Sequence, residues 1–157
     1  MKKGTCQGMV ILLIVGAMSL VFAAGPVIMT SKDLPSLKGK WVGRTAFEGG
    51  ESTKTELEIY GETVPMEGKI TFLTLPKRIW DDVPPDIKGG PTGQGAVVPF
   101  KKGRLSDKGY FVLASGENKL TLYLYNDGGK LKLVGTVLLE NKGADSLMHG
   151  DVSLDKE

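Results

Sequence analysis

The sequence is poor in the residue types that most often carry catalysis or hold metals. Its 157 residues include a single cysteine, Cys6, and a single histidine, His149. One thiol cannot form a disulfide within the chain, and this pair falls short of the ligand sets that zinc sites use. His149 precedes Asp151 on the same face of a predicted strand, a pairing that can orient an imidazole as a general base. Because no nucleophile motif accompanies it, we interpret His149 as a solvent-facing strand residue and predict no metal and no cofactor.

The N-terminal segment has the order of features found in secretory signal peptides. Lys2 and Lys3 form a short positive region, and residues 9–24 follow as an uncharged, mostly apolar run that ends in small residues. The run is shorter than the roughly 20 residues that a membrane-spanning helix needs. We therefore predict a signal peptide over residues 1–24, cleaved at its end, and a periplasmic or secreted protein. A retained N-terminal anchor is the alternative.

Removal of this segment leaves a chain with balanced charge and no cysteine. The full sequence has 20 basic and 18 acidic residues, and two of the lysines belong to the predicted signal peptide. The remaining charges sum to zero, so the overall charge gives no reason to expect a nucleic acid or an anionic membrane as partner. We also predict no integral membrane span after cleavage. Without disulfides the domain must be held together by its core, and about 130 residues can bury about two-thirds of their unfolded surface.

Alternation of apolar and polar residues dominates residues 37–157, which follow a short proline-containing leader at 25–36. Clear examples run along 41–47, 55–59, 120–124, 131–139 and 148–154. A period of two predicts strands with one buried face, and the turns between them are rich in glycine, asparagine and aspartate. We predict an all-β fold, an antiparallel up-and-down β-barrel of about eight strands, because closure removes exposed edges. A two-sheet β-sandwich is the alternative.

One connection within the predicted barrel is unusually long. Residues 76–95 are rich in proline and glycine and contain Trp80, one of two tryptophans. A structureless stretch of this length is uncommon in a compact domain and is usually functional or disordered. Arg78, Trp80 and Asp81 form a composition typical of binding loops, because tryptophan and arginine supply much of the contact energy at interfaces. The alternative is that Trp80 folds back over the barrel as a lid or edge plug.

Three aspartates in the same loop, Asp81, Asp82 and Asp86, suggest glycoside hydrolysis or calcium binding. Hydrolysis needs two carboxyl groups about 5 to 10 Å apart across the substrate, a spacing that the sequence does not specify. The order of residues from Asp81 to Asp86 does not match the alternating oxygen ligands of a calcium loop. We interpret these residues as part of a solvated loop and keep a hydrolase as a second alternative function.

The start of the first predicted strand resembles that of calycin barrels, the group that includes lipocalins and avidins. Gly39-Lys40-Trp41 follows a turn-like segment at residues 32–35, and in calycins a Gly-x-Trp opens the first strand. The resemblance implies that Gly39 and Trp41 form a plug at the closed end of the barrel. It also implies a small, often apolar ligand at the open mouth.

Tyrosines offer a candidate binding surface on the outside of the barrel. Tyr60, Tyr123 and Tyr125 fall on the outward registers of their strands. If the fold brings them together, they form an aromatic strip suited to sugars or a protein partner. Charged residues in the middle of the outward registers argue against an outer-membrane barrel.

These features favour an exported, non-catalytic binding protein. In the first hypothesis a calycin-like barrel holds a small apolar or amphipathic ligand, with Trp80 at the mouth and room beside small inward residues such as Gly43, Thr45, Gly135 and Gly150. The alternative is a packed barrel that acts through its surface as an envelope accessory or adhesion module, and the bulky inward leucines favour it. The candidate ligand-binding residues are Arg78, Trp80, Asp81, Tyr123 and Tyr125.

Overall fold

The protein forms a closed barrel of eight antiparallel strands. A computed structural model describes residues 25–141 and 146–157, so the predicted signal peptide lies outside the described residues. The strands are β1 (Gly39–Phe47), β2 (Ser52–Tyr60), β3 (Met66–Phe72), β4 (Ala96–Leu105), β5 (Phe111–Ser115), β6 (Asn118–Asp127), β7 (Lys130–Asn141) and β8 (Ser146–Lys156). Each strand pairs with its neighbours in sequence, and β8 returns to pair with β1. The predicted up-and-down barrel is confirmed, and the sandwich alternative is wrong because one continuous sheet closes on itself.

The period-two pattern of the sequence sets which residues face the interior. On β2 the buried positions alternate with exposed or half-buried ones, and the inward residues are Thr53, Thr55, Leu57 and Ile59. Apolar residues of all eight strands join in one core cluster. Because the chain has no disulfide in this domain, burial of this core is the main source of its stability.

Two glycines allow the backbones of neighbouring strands to approach closely on the inner side of the barrel wall. Gly43 on β1 and Gly135 on β7 occupy inward positions of their strands. A Cβ atom on Gly43 would lie 2.0 Å from the Ser153 carbonyl oxygen, and one on Gly135 would lie 1.8 Å from the Thr121 carbonyl oxygen. The space beside these glycines is therefore filled by the backbone of the adjacent strand. The expectation that they leave room for a ligand is wrong for this reason.

The leader packs over one end of the barrel. Residues 31–33 form a 3-10 turn that leads into α1 (Leu34–Leu37), and both leucines of α1 are buried. The Val27 N–H donates a 2.7 Å hydrogen bond to the Leu124 carbonyl oxygen on β6. These contacts fix the leader against the strands, and we call this end of the barrel the α1 end.

The connection between β3 and β4 covers the opposite end. It contains a short helix, α2 (Lys77–Asp82), so the prediction of a wholly structureless loop over residues 76–95 is wrong. Val83 follows the helix and precedes Pro84. The proline ring clashes sterically with the helical conformation of the residue before it, which explains where α2 ends. We call this end the α2 end.

A substitution at Gly135 tests the close approach of β7 and β6. Gly135→Ala should lower the free energy of unfolding by about 3 kcal/mol or more, because the new methyl group must push apart two paired strands. Gly50→Ala is the matched control: Gly50 lies in the β1–β2 turn with a φ of 83° and open space around it. It should cost only about 1 kcal/mol, from backbone strain. Urea unfolding followed by circular dichroism measures both, and an equal loss for the two variants would contradict the packing described here.

Candidate functional site

The centre of the barrel is filled by side chains. Leu57, Ile70, Leu122 and Leu133 come from four different strands, and each has 0% of its surface exposed. A side chain beside a ligand-sized space would have an exposed fraction above zero, whether that space were an internal cavity or a pocket open to solvent. These four positions are instead covered completely by other protein atoms. The middle of the barrel therefore offers no cavity beside them for a ligand.

Polar groups in the barrel interior also have partners. Thr45 and Thr55 are buried, and the Thr55 hydroxyl donates a 2.8 Å hydrogen bond to the Thr45 hydroxyl oxygen. The Thr53 hydroxyl donates a 2.5 Å bond to the Thr74 carbonyl oxygen. Within the described residues, no buried side-chain nitrogen or oxygen lacks a hydrogen-bond partner. The hydrogen bonds of these threonine hydroxyl groups are therefore made within the protein and need no polar ligand.

Trp41 lies at the α1 end beneath the short helix. Its side chain is 0% exposed, and its indole N–H donates a 2.8 Å hydrogen bond to the Leu37 carbonyl oxygen. Gly39, two residues earlier, has a φ of 118°, which allows the chain to turn from α1 into β1. This placement is consistent with the plug that the resemblance implies for Gly39 and Trp41.

Lys156, on the last strand, completes the α1 end and is not a residue that the sequence analysis identified. Its ammonium nitrogen lies 5.1 Å from the centroid of the Trp41 ring, within the range of a cation–π contact. The same group donates hydrogen bonds to the carbonyl oxygens of Ser36 and Lys38, the latter at 2.9 Å. Burial lowers the pKa of Lys156. The sequence feature that points to Lys156 is the inward register of β8, which continues from Leu154 to Lys156.

At the α2 end, apolar residues of the long connection seal the barrel. Ile79, Val83 and Ile87 are 3%, 2% and 8% exposed and belong to the core cluster. Ile79 and Val83 are four residues apart, the spacing that places side chains on one face of a helix. The sequence analysis missed this signal because proline and glycine dominate the composition of the segment. The connection is a packed cover over the end of the barrel.

Each of the candidate binding residues on α2 has a partner within the protein. Arg78 donates a 2.7 Å hydrogen bond to the Glu48 carbonyl oxygen and forms a 3.0 Å ion pair with Glu51, both in the β1–β2 turn. Asp81 forms a 2.7 Å ion pair with Lys77 one turn earlier in the helix. These contacts hold α2 against the neighbouring turn, as expected of a cover.

Trp80 is half-buried and packs against the core cluster. The ammonium nitrogen of Lys88 lies 4.7 Å from the centroid of its ring. The position of Trp80 agrees better with the lid alternative than with a freely exposed binding residue. Part of the Trp80 side chain nevertheless remains exposed.

A surface groove of about 490 Å³ runs beside this cover, between the start of β2 and residues 73–76. Arg44 and Lys54 lie along it, directly opposite one another on β1 and β2. Arg44 donates a 2.7 Å hydrogen bond to the Ser52 hydroxyl oxygen. Two cations beside a hydroxyl group are able to hold an anionic group. The sequence analysis did not identify the pair, because the strand register that makes these residues neighbours is not visible in the sequence.

The candidate tyrosines divide between two walls of the barrel. Tyr123 and Tyr125 lie on β6, whereas Tyr60 lies on β2, and the neighbours of β6 are β5 and β7. The structure therefore does not bring Tyr60 together with the other two. The Tyr123 ring instead packs against Tyr110, with ring centroids 5.3 Å apart and the planes tilted by 45°. Tyr60 donates a 2.7 Å hydrogen bond to Glu58, which lowers the pKa of that carboxyl group.

The candidate acid–base residues are not assembled into a recognisable catalytic group. His149 faces Glu48 of the β1–β2 turn, with 3.6 Å between its Nδ1 and the Glu48 carboxylate oxygen. Asp82 and Asp86 are exposed. In residues 25–141 and 146–157, no three His, Cys, Asp or Glu side chains are grouped closely enough to hold a metal ion.

Comparison with known proteins identifies no family for this chain. No protein-family model matches the chain, and no curated protein matches it. A solved structure of a redesigned β-barrel aligns with a TM-score of 0.43 and 15% sequence identity, covering 79% of this chain and 95% of that one. A likeness this distant carries no argument about function. Across the part of the chain that the structure describes, no helix combines the length and apolar character needed to cross a bilayer.

A substitution at Lys156 tests its role at the α1 end. Lys156→Met keeps most of the aliphatic side chain but removes the ammonium group, and it should lower the free energy of unfolding by about 1 to 3 kcal/mol. Lys130→Met, at an exposed position that begins β7 nearby, should change it by less than about 0.5 kcal/mol. Chemical unfolding monitored by tryptophan fluorescence compares the two. Equal effects would show that Lys156 does not stabilise the plug.

Proposed function

We propose that this is an exported, non-catalytic binding protein whose packed barrel is a scaffold and whose outer surface contacts its partner. The observation that carries the proposal is the complete burial of inward side chains at the centre of the barrel, such as Leu57 on β2 and Leu133 on β7. A protein that binds a ligand inside its barrel needs a lined, accessible cavity. Side chains without free surface cannot line one. Export rests on the signal-peptide pattern of residues 1–24.

The two covered ends support the same proposal. At the α1 end, Trp41 and Leu37 are wholly buried, and at the α2 end Ile79 and Val83 close the barrel. An apolar ligand could enter only if one of these covers moved away and the core rearranged. In this proposal the calycin-like character extends to the barrel and its tryptophan plug, and not to a ligand site in the interior.

The outer wall carries the side chains that suit contact with an envelope component. Tyr123 is 39% exposed and stacks on Tyr110, and Tyr125 is half-buried on the same strand. Tyrosine supplies a large contact area at low cost in conformational entropy. We assign Tyr123 and Tyr125 to the contact surface, with the exposed part of Trp80 as a separate contact at the α2 end.

The mass of the protein isolated from cells distinguishes a packed barrel from a ligand-holding one. Native mass spectrometry of the full chain, purified gently after export, should give the mass of the polypeptide alone, because the interior is already filled. An excess mass that is released on denaturation would overturn the packed barrel and support an enclosed ligand. Protein carried through denaturation and refolding provides the reference mass.

Loss of the tyrosine surface should abolish partner binding and leave the fold intact. We expect Tyr123→Ala/Tyr125→Ala to lose the partner that the wild-type protein retains from envelope extracts. Tyr60→Ala removes an exposed tyrosine from β2 and should retain it. Thermal unfolding checks that all three proteins are folded. Retention of the same partner by the double variant would contradict the assignment of this surface.

A further inference from the structure

A cluster of basic side chains on the outer wall has no acidic partners. We call it the basic face; its members are Lys101, Lys102 and Arg104 on β4 and Lys119 on β6. All four are exposed, and none takes part in an ion pair with another described residue. Residues 101–119 contain five basic and two acidic residues, whereas the rest of 25–157 contains 13 basic and 16 acidic. The balanced total charge thus conceals a local excess of positive charge.

An irregularity in the sheet places two of these cations next to each other on the outer wall. Phe100 pairs with Gly68 and Gly103 pairs with Met66, so two residues of β4, Lys101 and Lys102, oppose one residue of β3. Such a bulge interrupts the hydrogen-bond ladder and redirects a side chain. Here it leaves two consecutive lysines exposed on the wall. The opposing residue of β3 is Glu67, which is also exposed and forms no ion pair with either lysine.

Gly103, the inward residue next to the two lysines, has no space beside it for a side chain. A Cβ atom there would lie 2.7 Å from the Met66 carbonyl oxygen and 2.9 Å from the Phe111 ring. Uncompensated cations close together repel one another and destabilise the folded protein. The core therefore explains Gly103, but no described residue offsets the charge of the three cations beside it through an ion pair, even though Glu67 lies opposite Lys101 and Lys102. An anionic partner would do so.

The spacing of the charges favours a chain over a single small anion. Lys102 pairs with Ala114 on β5, and Ala114 pairs with Lys119 on β6. Two strand spacings separate Lys102 from Lys119 by about 10 Å, and two residues along a strand separate Lys102 from Arg104 by about 7 Å. The four cations are thus spread over an extended part of the wall, where a polymer with repeated negative charges can contact them with successive groups.

The shape and neighbours of the face favour a polysaccharide. A concave region of about 560 Å³ is lined by the three cations of β4 with Ala114, Ser115 and Gly116. A second, of about 150 Å³, shares Arg104 and adds Lys119, Tyr110 and one carboxylate, Asp107. On β6, Thr121 and Tyr123 continue from Lys119 on the same outward register, and the Tyr123 ring packs against Tyr110, which precedes β5. Aromatic rings beside hydroxyl groups suit sugar rings, and the basic face itself contains no exposed aliphatic side chain that would insert into a bilayer.

We infer that the basic face, together with the Tyr110–Tyr123 pair, binds an acidic polysaccharide. The inference rests on the proposed function, because an exported protein that works through its outer wall meets such polymers outside the cell. The cations contact carboxylate or sulfate groups of the chain, and the tyrosine pair contacts the sugar rings. Binding is therefore salt-dependent through the cations and selective for glycans through the tyrosines.

Matched charge variants test the cationic contribution. Lys101→Gln/Lys102→Gln/Arg104→Gln removes three charges from the face, and Lys32→Gln/Lys38→Gln/Lys130→Gln removes three exposed charges elsewhere. With polygalacturonate and heparin as probes and neutral dextran as the blank, affinity electrophoresis of the full chain purified after export should show binding by the wild type. The first variant should lose about tenfold or more in affinity and show a weaker dependence on salt, and the second less than about twofold.

A tyrosine variant and other polyanions test the class of partner. Tyr110→Ala/Tyr123→Ala should weaken binding to the glycans but leave the weak binding to inorganic polyphosphate unchanged. The inference is overturned if neither glycan binds, if the two triple variants lose affinity equally, or if single-stranded DNA or phosphatidylglycerol vesicles bind more tightly than both glycans. If the glycan inference fails but native mass spectrometry gives the mass of the polypeptide alone, the packed barrel still stands. An enclosed ligand found by mass spectrometry would instead overturn the packed barrel, whatever the glycan result.

Discussion

The pairing of β1 with β8 is the interaction on which the rest of the structure depends. It joins the first and last strands of the domain along seven residue pairs, from Trp41 and Lys156 to Phe47 and Gly150. Without it the sheet would have two open edges and a solvent-filled interior. The seam requires close approach of the two backbones, and Gly43 provides it because any side chain there would meet the Ser153 carbonyl oxygen. The same pairing of β1 with β8 places Lys156 beside Trp41. Closure of the wall and closure of the α1 end therefore depend on the same strand pairing.

In the proposed function, a barrel that is closed in this way and filled at its centre by its own side chains acts through its outer wall. Small inward residues in a barrel can make room for a ligand, but those on β1 and β7 here allow strand backbones to approach. The covers at both ends pack their apolar residues against the core and use their polar groups to bind neighbouring turns, as Arg78 does with Glu48 and Glu51. What remains available for recognition is the wall, where charge and aromatic residues are unevenly distributed.

The fold could be predicted from the sequence because a single periodicity specified it. Strict alternation along β2, β6 and β7 identified both the strands and their buried faces, and short turns left few topologies other than a meander. The helix α2 was not predicted, since its signal is only Ile79 and Val83 within a segment dominated by proline and glycine. The candidate site was predicted less well than the fold. Tyr60 and Tyr123 share an outward register but lie on separate walls, and that depends on strand order.

The electrostatic surface could not be predicted from composition for a related reason. Equal numbers of acidic and basic residues describe an average, whereas recognition depends on local density. On β1 to β3 several charges form ion pairs, such as Lys69 with Glu58 and Lys40 with Glu56, whereas Arg44 and Lys54 lie opposite one another without an ion pair to a described residue. On β4 to β6 the cations have no such partners, and the bulge at Lys101 and Lys102 increases their number. Strand register and the bulge decide this contrast, and neither is visible in the sequence alone.

Xenon titration followed by methyl NMR tests the packed interior most directly, because xenon enters apolar cavities that water leaves empty. The account predicts that the methyl groups of Leu122 and Leu133, which are 0% exposed, shift no more with xenon pressure than that of exposed Val64. Saturable shifts concentrated at Leu122 and Leu133 would reveal an empty cavity in the centre of the barrel and would contradict the account.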